Sequence, residues 1–336
     1  MGKEQEYTKG FVTSKDGTTI GYRQMGSGPG IILLHGGAKA SQTLMQLGTA
    51  LSDEFTVYIP DRRGRGLSGP FGDNYGLQRE VEDMDALLKK TSAHYVFGTA
   101  TGGIIALQST LHLPAIHKAI LYEPPFYVNE TEMNNFNDIG KRYDQYLDEG
   151  KLSSAMVTSG ELATKVSGDE LQSPYQWVKY MPNIVLRLIF RIVLEVDARN
   201  VKGDDVKLKD LMPTFHNDVV LVNETKGTIE NFKDVSAEVL LLYGSKTFLF
   251  LKHSLDALNE VLPHVECVKI QGIDHAAAED KTGKPKIVAQ EIKRFLQWKK
   301  TFYKNFLWIY QILLFLWNQS NGFFLNEIIN ETTNGQ

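Results

Sequence analysis

One stretch of the chain has the spacing of a site for covalent catalysis but lacks the reactive side chain. The apolar run 95–97 stops at Gly98, and Ala100, Gly102 and the apolar, helix-favouring segment 104–107 follow. A strand that turns sharply into a helix is the setting of a G-x-S-x-G motif, whose small flanking residues let a strained central residue project its side chain. The central residue here is Ala100. A methyl group has no lone pair to attack a carbonyl and no proton for a base to remove.

Three further segments contain residues that such chemistry requires. Residues 35–38, His-Gly-Gly-Ala, follow the apolar run 31–34. A glycine-rich bend directly after a strand exposes backbone N–H groups that can form half of an oxyanion hole, although a simple tight turn would look the same. His275 follows the last strand-like segment, 265–271, and is the strongest candidate for a catalytic base. A third candidate is Glu123, since it ends a strand where open α/β sheets place their chemistry.

The elements around these loops alternate between strand-like and helix-like segments, with one long interruption. A hairpin is predicted over 10–23, and buried strands are predicted at 31–34, 55–60, 95–97, 118–122, 238–243 and 265–271. Helical periodicity dominates 127–233, with segments at 132–149, 151–167 and 184–194. We therefore expect a core formed by 10–126 and 234–299, with 127–233 inserted as a helical cap.

The last part of the chain, 300–336, is unlike the rest. Residues 306–317 are apolar on all sides, and a stretch rich in asparagine follows. A helix that spans a bilayer needs about 20 apolar residues, and this run is shorter. An interfacial anchor, a helix that docks on the core and an accidental extension without a role in the fold remain open. We favour the accidental extension, so we do not expect membrane association through 306–317.

The composition excludes several classes of function. A net charge of −4 argues against a general nucleic-acid-binding surface and says little about the substrate. The expected partner is a small-molecule substrate or ligand. The single cysteine, Cys267, precludes an internal disulfide, and the polar N-terminus has no signal-peptide core. Both features favour a cytoplasmic location. No pair of histidines has metal-ligand spacing with a carboxylate, so a metal site is not expected.

The order of these motifs resembles the α/β-hydrolase family over residues 10–299. The resemblance rests on the segments Leu34-His35-Gly36-Gly37, Asp61-Arg62-Arg63-Gly64-Arg65-Gly66, the turn around Ala100, Glu123-Pro124-Pro125-Phe126 and Gly272-Ile273-Asp274-His275. It implies a mostly parallel eight-stranded sheet, with a helical cap between the sixth and seventh strands. It also implies ester or amide hydrolysis without a cofactor.

Residue by residue, the resemblance places the family's nucleophile at Ala100 and its base at His275. The acid that usually follows the seventh strand is missing, because 245–250 contains no carboxylate. Glu123 is the best substitute, and Asp274 ranks second because sequence neighbours seldom orient each other's rings. The backbone N–H groups of Thr101 and of Ala38 or Gly37 would hold the oxyanion.

Three functional hypotheses follow. The first is an esterase-like acyl hydrolase for a small or medium apolar substrate, inactive or nearly so because Ala100 replaces the nucleophilic serine, by design or by natural decay. The second is a non-catalytic protein, a pseudoenzyme, that binds a small ligand on the same fold. The third is a cofactorless lyase-type enzyme that uses His275 as its base. Retention of His275 beside a lost nucleophile mildly favours the first.

Overall fold

The computed structural model describes residues 6–162 and 180–297. The chain divides into two compact units, residues 1–289 and 290–336, and every strand among the described residues belongs to the first. The predicted tail, 300–336, lies outside the described residues, and so do the end of the predicted helix 151–167 and residues 298–299 of the predicted core. The predictions for these segments therefore stay predictions.

Eight strands form one sheet. They are β1 (Thr8–Thr13), β2 (Thr19–Gly26), β3 (Gly30–Leu34), β4 (Thr56–Pro60), β5 (Tyr95–Thr99), β6 (Lys118–Tyr122), β7 (Glu238–Gly244) and β8 (Val265–Ile270). Their spatial order is β1-β2-β4-β3-β5-β6-β7-β8. The β1–β2 and β2–β4 pairs are antiparallel, and all other pairs are parallel. The predicted mostly parallel, eight-stranded sheet is confirmed.

The central strands are mostly apolar, since helices flank the sheet. Every residue of β6 is buried, and four of the five residues of β3 and of β5 are buried. Strands covered on both faces lose the alternation of polar and apolar residues that a half-exposed strand shows. Burial of each Val, Leu, Ile or Phe side chain contributes about 1.5–3 kcal/mol, so these strands form a rigid base for the loops that follow them.

Nine helices have both ends within the described part of the chain. They are α1 (Met45–Leu51), α2 (Leu77–Thr91), α3 (Thr101–His112), α4 (Glu130–Asp148), α5 (Leu152–Gly160), α6 (Asn183–Asn200), α7 (Leu208–Leu211), α8 (Phe215–Glu224) and α9 (Leu249–Val261). A further helix occupies 285–297. Helices α4 to α8 all lie in the connection from β6 to β7, where the sequence predicts a cap. No helix among the residues described is long and apolar enough to cross a membrane.

The parallel strands β3, β5, β6, β7 and β8 bring their carboxyl ends to one edge of the sheet. The predicted functional loops follow four of these strands: 35–38 follows β3, Ala100 follows β5, Glu123 follows β6 and His275 follows β8. Strand pairing aligns these ends, since Gly98 of β5 lies opposite both Leu34 of β3 and Leu121 of β6. The candidate site is therefore built at this edge.

Candidate active site

Ala100 alone separates a strand from a helix. β5 ends at Thr99 and α3 begins at Thr101, and Ala100 between them has a φ of 49° and a ψ of −124°. Its backbone N–H donates to the Tyr122 carbonyl oxygen at 3.0 Å. A left-handed φ in a residue other than glycine costs energy and is found where the surroundings enforce it. The turn therefore has the strained geometry of a nucleophile elbow although its central side chain is a methyl group.

Glycines make this turn sterically possible. A Cβ on Gly98 would lie 2.2 Å from the Gly102 carbonyl oxygen, and one on Gly102 would lie 2.5 Å from the Leu34 carbonyl oxygen. Both distances are far below any van der Waals contact. The two glycines thus let α3 pass close to β5, the strand that precedes it, and to the end of β3. This close approach sets the G-x-x-x-G spacing that the sequence shows.

His275 is held by Glu123, which is fully buried. The imidazole Nδ1–H donates to Glu123 Oε2 at 2.7 Å, and Glu123 Oε1 accepts the Gly244 backbone N–H at 2.8 Å. Because the carboxylate can only accept, the proton lies on Nδ1 and the Nε2 lone pair is left to act as a base. Glu123 itself has a φ of 49°, so its backbone is strained like that of Ala100.

The environment of His275 favours its protonated form. Burial opposes charging of the ring, but the hydrogen bond from Nδ1 to Glu123 and the charge of that carboxylate outweigh it, so the pKa of His275 is raised. The ring also lies 5.7 Å from the Phe248 ring, centroid to centroid. His275 is therefore an oriented base with an apolar neighbour.

Asp274, the alternative acid, has other contacts. Its Oδ1 accepts the backbone N–H of Ala276 at 3.0 Å, and its carbonyl oxygen accepts the Tyr122 hydroxyl. These bonds shape the loop that presents His275. The carboxylate hydrogen-bonded to the imidazole in this structure is that of Glu123.

The loop after β3 lies beside the elbow. A Cβ on Gly36 would meet Ala100 Cβ at 3.1 Å. His35 anchors the loop: its Nε2 accepts the Arg62 backbone N–H at 3.2 Å, and its Nδ1 lies 2.9 Å from the Gly36 carbonyl oxygen. Burial and the nearby arginines Arg65 and Arg62 hold the pKa of His35 well below its usual value. His35 is therefore a neutral structural residue.

The predicted oxyanion donors differ in what they contact. The Ala38 backbone N–H donates to Asp218 Oδ2 at 2.9 Å. Thr101 is the first residue of α3, and the N–H groups of a helix's first turn have no partner within the helix. Gly37 lies between His35-Gly36 and Ala38, with its Cα against the Asp218 side chain. The assignment of Gly37, Ala38 and Thr101 as oxyanion donors stays a prediction.

A buried charge cluster that the sequence did not reveal adjoins this loop. Asp218 Oδ1 accepts from Arg62 at 2.8 Å and from the Thr101 hydroxyl at 3.2 Å, and Asp218 Oδ2 accepts from Arg65 at 2.8 Å. Arg62 also pairs with Glu80 at 2.9 Å. The arginines belong to the segment 61–66, which directly follows β4. Asp218 has no sequence signal of its own, since it is one acid among many on amphipathic helices.

The described residues offer no metal site. Within 6–162 and 180–297, no group of three or more His, Cys, Asp and Glu side chains is arranged to hold a metal ion. The chemistry that the arrangement itself offers is that of a histidine base oriented by a buried carboxylate, at the same edge of the sheet as a strained turn and a glycine-rich loop.

Curated relatives share parts of this chain. It is 33% identical over 113 residues to an uncharacterized hydrolase of Bacillus subtilis, YraK, a match that spans 32% of this chain and only 42% of that protein. It is 22% identical over 310 residues to a cis-3-alkyl-4-alkyloxetan-2-one decarboxylase of Shewanella oneidensis, covering 84% of this chain and 86% of the relative.

A solved structure and a family model are both similar to this chain over most of its length. An alpha/beta hydrolase from Sphaerobacter thermophilus superposes with a TM-score of 0.65 at 21% identity, over 85% of this chain and all of that structure. The family model for the alpha/beta hydrolase fold matches residues 29–282, well over half of the chain. This protein belongs to the alpha/beta hydrolase fold family.

Proposed function

We propose that the protein has the framework of an acyl hydrolase for small or medium apolar esters or amides, and that it is inactive or nearly so because Ala100 stands at the nucleophile position. The observation that supports this most directly is the 2.7 Å bond between His275 and the buried Glu123. An oriented base of this kind is required for nucleophile activation and has no evident structural purpose on a loop.

The position of the elbow supports the same proposal. Ala100 donates its N–H to Tyr122, the residue before Glu123, so the elbow and the acid are adjacent on neighbouring strands. With a serine at position 100, the Nε2 atom of His275 would take the hydroxyl proton as the oxygen attacks the carbonyl carbon. The N–H groups of Thr101 and Gly37 would stabilise the oxyanion, and protonated His275 would return the proton to the leaving group.

With alanine this covalent route is closed. Loss of a serine nucleophile typically costs about 10⁶-fold in turnover, while the oxyanion hole and binding leave about 10³- to 10⁴-fold acceleration over water. The Phe248 and Phe250 rings, stacked 6.1 Å apart next to the His275 loop, support an apolar substrate.

The test is a comparison of the wild-type protein with Ala100→Ser on short-chain aryl esters. We expect Ala100→Ser to gain hydrolysis of at least about 10³-fold, since only the nucleophile is missing. Neutral His275 is the active form, and its pKa is raised, so activity should increase with pH with a midpoint above about 6.5, the ordinary histidine value. A folded Ala100→Ser protein that is no faster than wild type would contradict the proposal and favour a ligand-binding protein.

The decarboxylase relative favours a second candidate, a cofactorless lyase with His275 as base. Its match extends over 310 residues, far beyond a single motif. The measurement is CO₂ release by the wild-type protein from a cis-3-alkyl-4-alkyloxetan-2-one, with His275→Ala as the control. Release by the wild type that the control loses would support the lyase, and no release would remove it.

A further inference from the structure

Asp218 bridges the two segments that carry the predicted oxyanion donors. One carboxylate oxygen accepts the Ala38 N–H at 2.9 Å, and the other accepts the Thr101 hydroxyl at 3.2 Å. Ala38 belongs to the loop after β3, and Thr101 is the first residue of α3. The bridging side chain comes from neither segment, because Asp218 lies in the first turn of α8 within the β6–β7 connection.

Asp218 lies so close to the loop after β3 that it restricts which residues can occupy that loop. A Cβ on Gly37 would lie 3.1 Å from both Cγ and Oδ2 of Asp218, so the carboxylate packs directly on the Gly37 Cα. Ala38 has a φ of 49°, a conformation that a non-glycine residue keeps only when its surroundings enforce it. The charge-assisted bond from the Ala38 N–H to Asp218 supplies that constraint.

Two buried arginines of the segment 61–66 hold the Asp218 carboxylate. Arg62 binds Oδ1 and Arg65 binds Oδ2, each at 2.8 Å, and Asp218 is 1% exposed. Arg62 is in turn fixed by Glu80 of α2, and Arg65 by Thr214. Although burial favours the neutral carboxyl, the two arginines outweigh it and keep the pKa of Asp218 below its usual range. The bridge is therefore a fixed anion.

We propose that Asp218 is the positioning residue of the oxyanion hole, its carboxylate setting the separation of the Gly37–Ala38 loop from the start of α3. The inference rests on the proposed function for its catalytic meaning, but the bridge itself can be tested without it. Because the Ala38 N–H is directed at an anion, the donors left for a substrate carbonyl are the N–H groups of Gly37 and Thr101. Asp218 acts through them and does not touch the substrate.

The first test uses the full-length wild-type protein labelled with ¹⁵N-alanine. The Ala38 amide, identified by its disappearance in Ala38→Gly, should resonate far downfield and exchange slowly with D₂O, since its proton is bound to a buried carboxylate. In Asp218→Asn the resonance should move upfield and exchange at least about 10-fold faster, because the acceptor is no longer charged. Asp218→Glu retains the charge for Arg62 and Arg65 but displaces the carboxylate by one methylene, so it should move the resonance even if Asp218→Asn does not fold.

The matched control is Asp83→Asn, which removes a buried carboxylate from the neighbouring Arg63, an arginine that binds Asp83, Asp16 and the Phe71 carbonyl oxygen. It should leave the Ala38 amide unchanged. Fast exchange of Ala38 in the wild type, or an unaltered Ala38 resonance in Asp218→Glu, would overturn the bridge. These results do not depend on any enzymatic activity.

The second test adds the same changes to Ala100→Ser. If the N–H donors of the oxyanion hole are too far apart, binding of the transition state is weakened more than binding of the substrate. The kcat should therefore fall about 10²-fold, with KM changed less than about 3-fold. Asp83→Asn should leave both constants within about 3-fold in that background. Equal losses in the Asp218 and Asp83 variants would make Asp218 a merely structural residue. If Ala100→Ser is itself inactive, the proposed function fails, while the amide measurement still decides the role of Asp218.

Discussion

At the scale of single residues, the elbow keeps a strained conformation around a side chain that cannot react. A φ of 49° costs an alanine about 1–3 kcal/mol, as it would a serine. The strain is balanced by the pairing of β5 with β6 and by the Ala100–Tyr122 bond, neither of which involves the side chain. Introduction of a hydroxyl at position 100 therefore requires no change of backbone.

The hydrogen bond between His275 and Glu123 leads to a prediction about turnover at the same scale. In the Ala100→Ser background, Glu123→Gln should lower turnover by about 10⁴-fold, the effect of removing the charge of an orienting acid. An amide cannot stabilise the imidazolium that forms during attack, and its NH₂ group can select the wrong tautomer. The measurement is ester turnover at saturating substrate.

Asp274→Asn is the control for this prediction. Its Oδ1 contacts the Ala276 N–H, a bond that an asparagine oxygen can also accept, so turnover should stay within about 3-fold. A larger loss in Asp274→Asn than in Glu123→Gln would assign the acid to Asp274. Equal small effects would mean that His275 works without one.

At the scale of elements, the crossing of β5 by the start of α3 depends on the absence of side chains. Gly98→Ala would place a Cβ 2.2 Å from the Gly102 carbonyl oxygen, a backbone atom that cannot turn aside. We expect a loss of stability of about 3 kcal/mol or more, at the upper end for overpacking, because strand or helix must shift. Chemical denaturation followed by circular dichroism measures it.

The matched substitution for this prediction is Gly160→Ala at the end of α5, where none of the described residues comes within 4 Å of the added Cβ. Alanine is the better helix former by about 1 kcal/mol, so this variant should be as stable as wild type or slightly more so. If both variants lost the same stability, the close crossing would not be the cause.

At the scale of the whole molecule, all eight strands lie in residues 8–270 and belong to the first compact unit. Removal of 301–336 should therefore leave the melting temperature within a few degrees, since the elements that the fold requires remain. The two forms should be compared by thermal unfolding and by sedimentation with liposomes. A large drop on truncation would show that the tail stabilises the core, and liposome binding by only the full-length form would support an interfacial anchor.

The sequence by itself determined the local features of this protein. Turn glycines and apolar strands can be recognised from neighbouring residues, because backbone sterics and burial act over a few positions. The order of the motifs can then be read along the chain. Together with the resemblance to the family, they were sufficient to predict the sheet and the sharp turn at Ala100, and they led to the prediction that His275 is the base. The ranking of Glu123 over Asp274 also came from local reasoning, as adjacent residues rarely hydrogen-bond each other's rings.

Only the tertiary structure decided which distant groups meet. Glu123 and His275 are 152 residues apart, and their contact depends on the sheet placing β6, β7 and β8 side by side. Asp218 lies 180 residues from Ala38, on a short helix whose sequence does not distinguish it from other amphipathic helices. A buried charge is stable only where its partners converge. That convergence depends on the packing of α8 against the loops after β3 and β4, so no local pattern in the sequence could have indicated it.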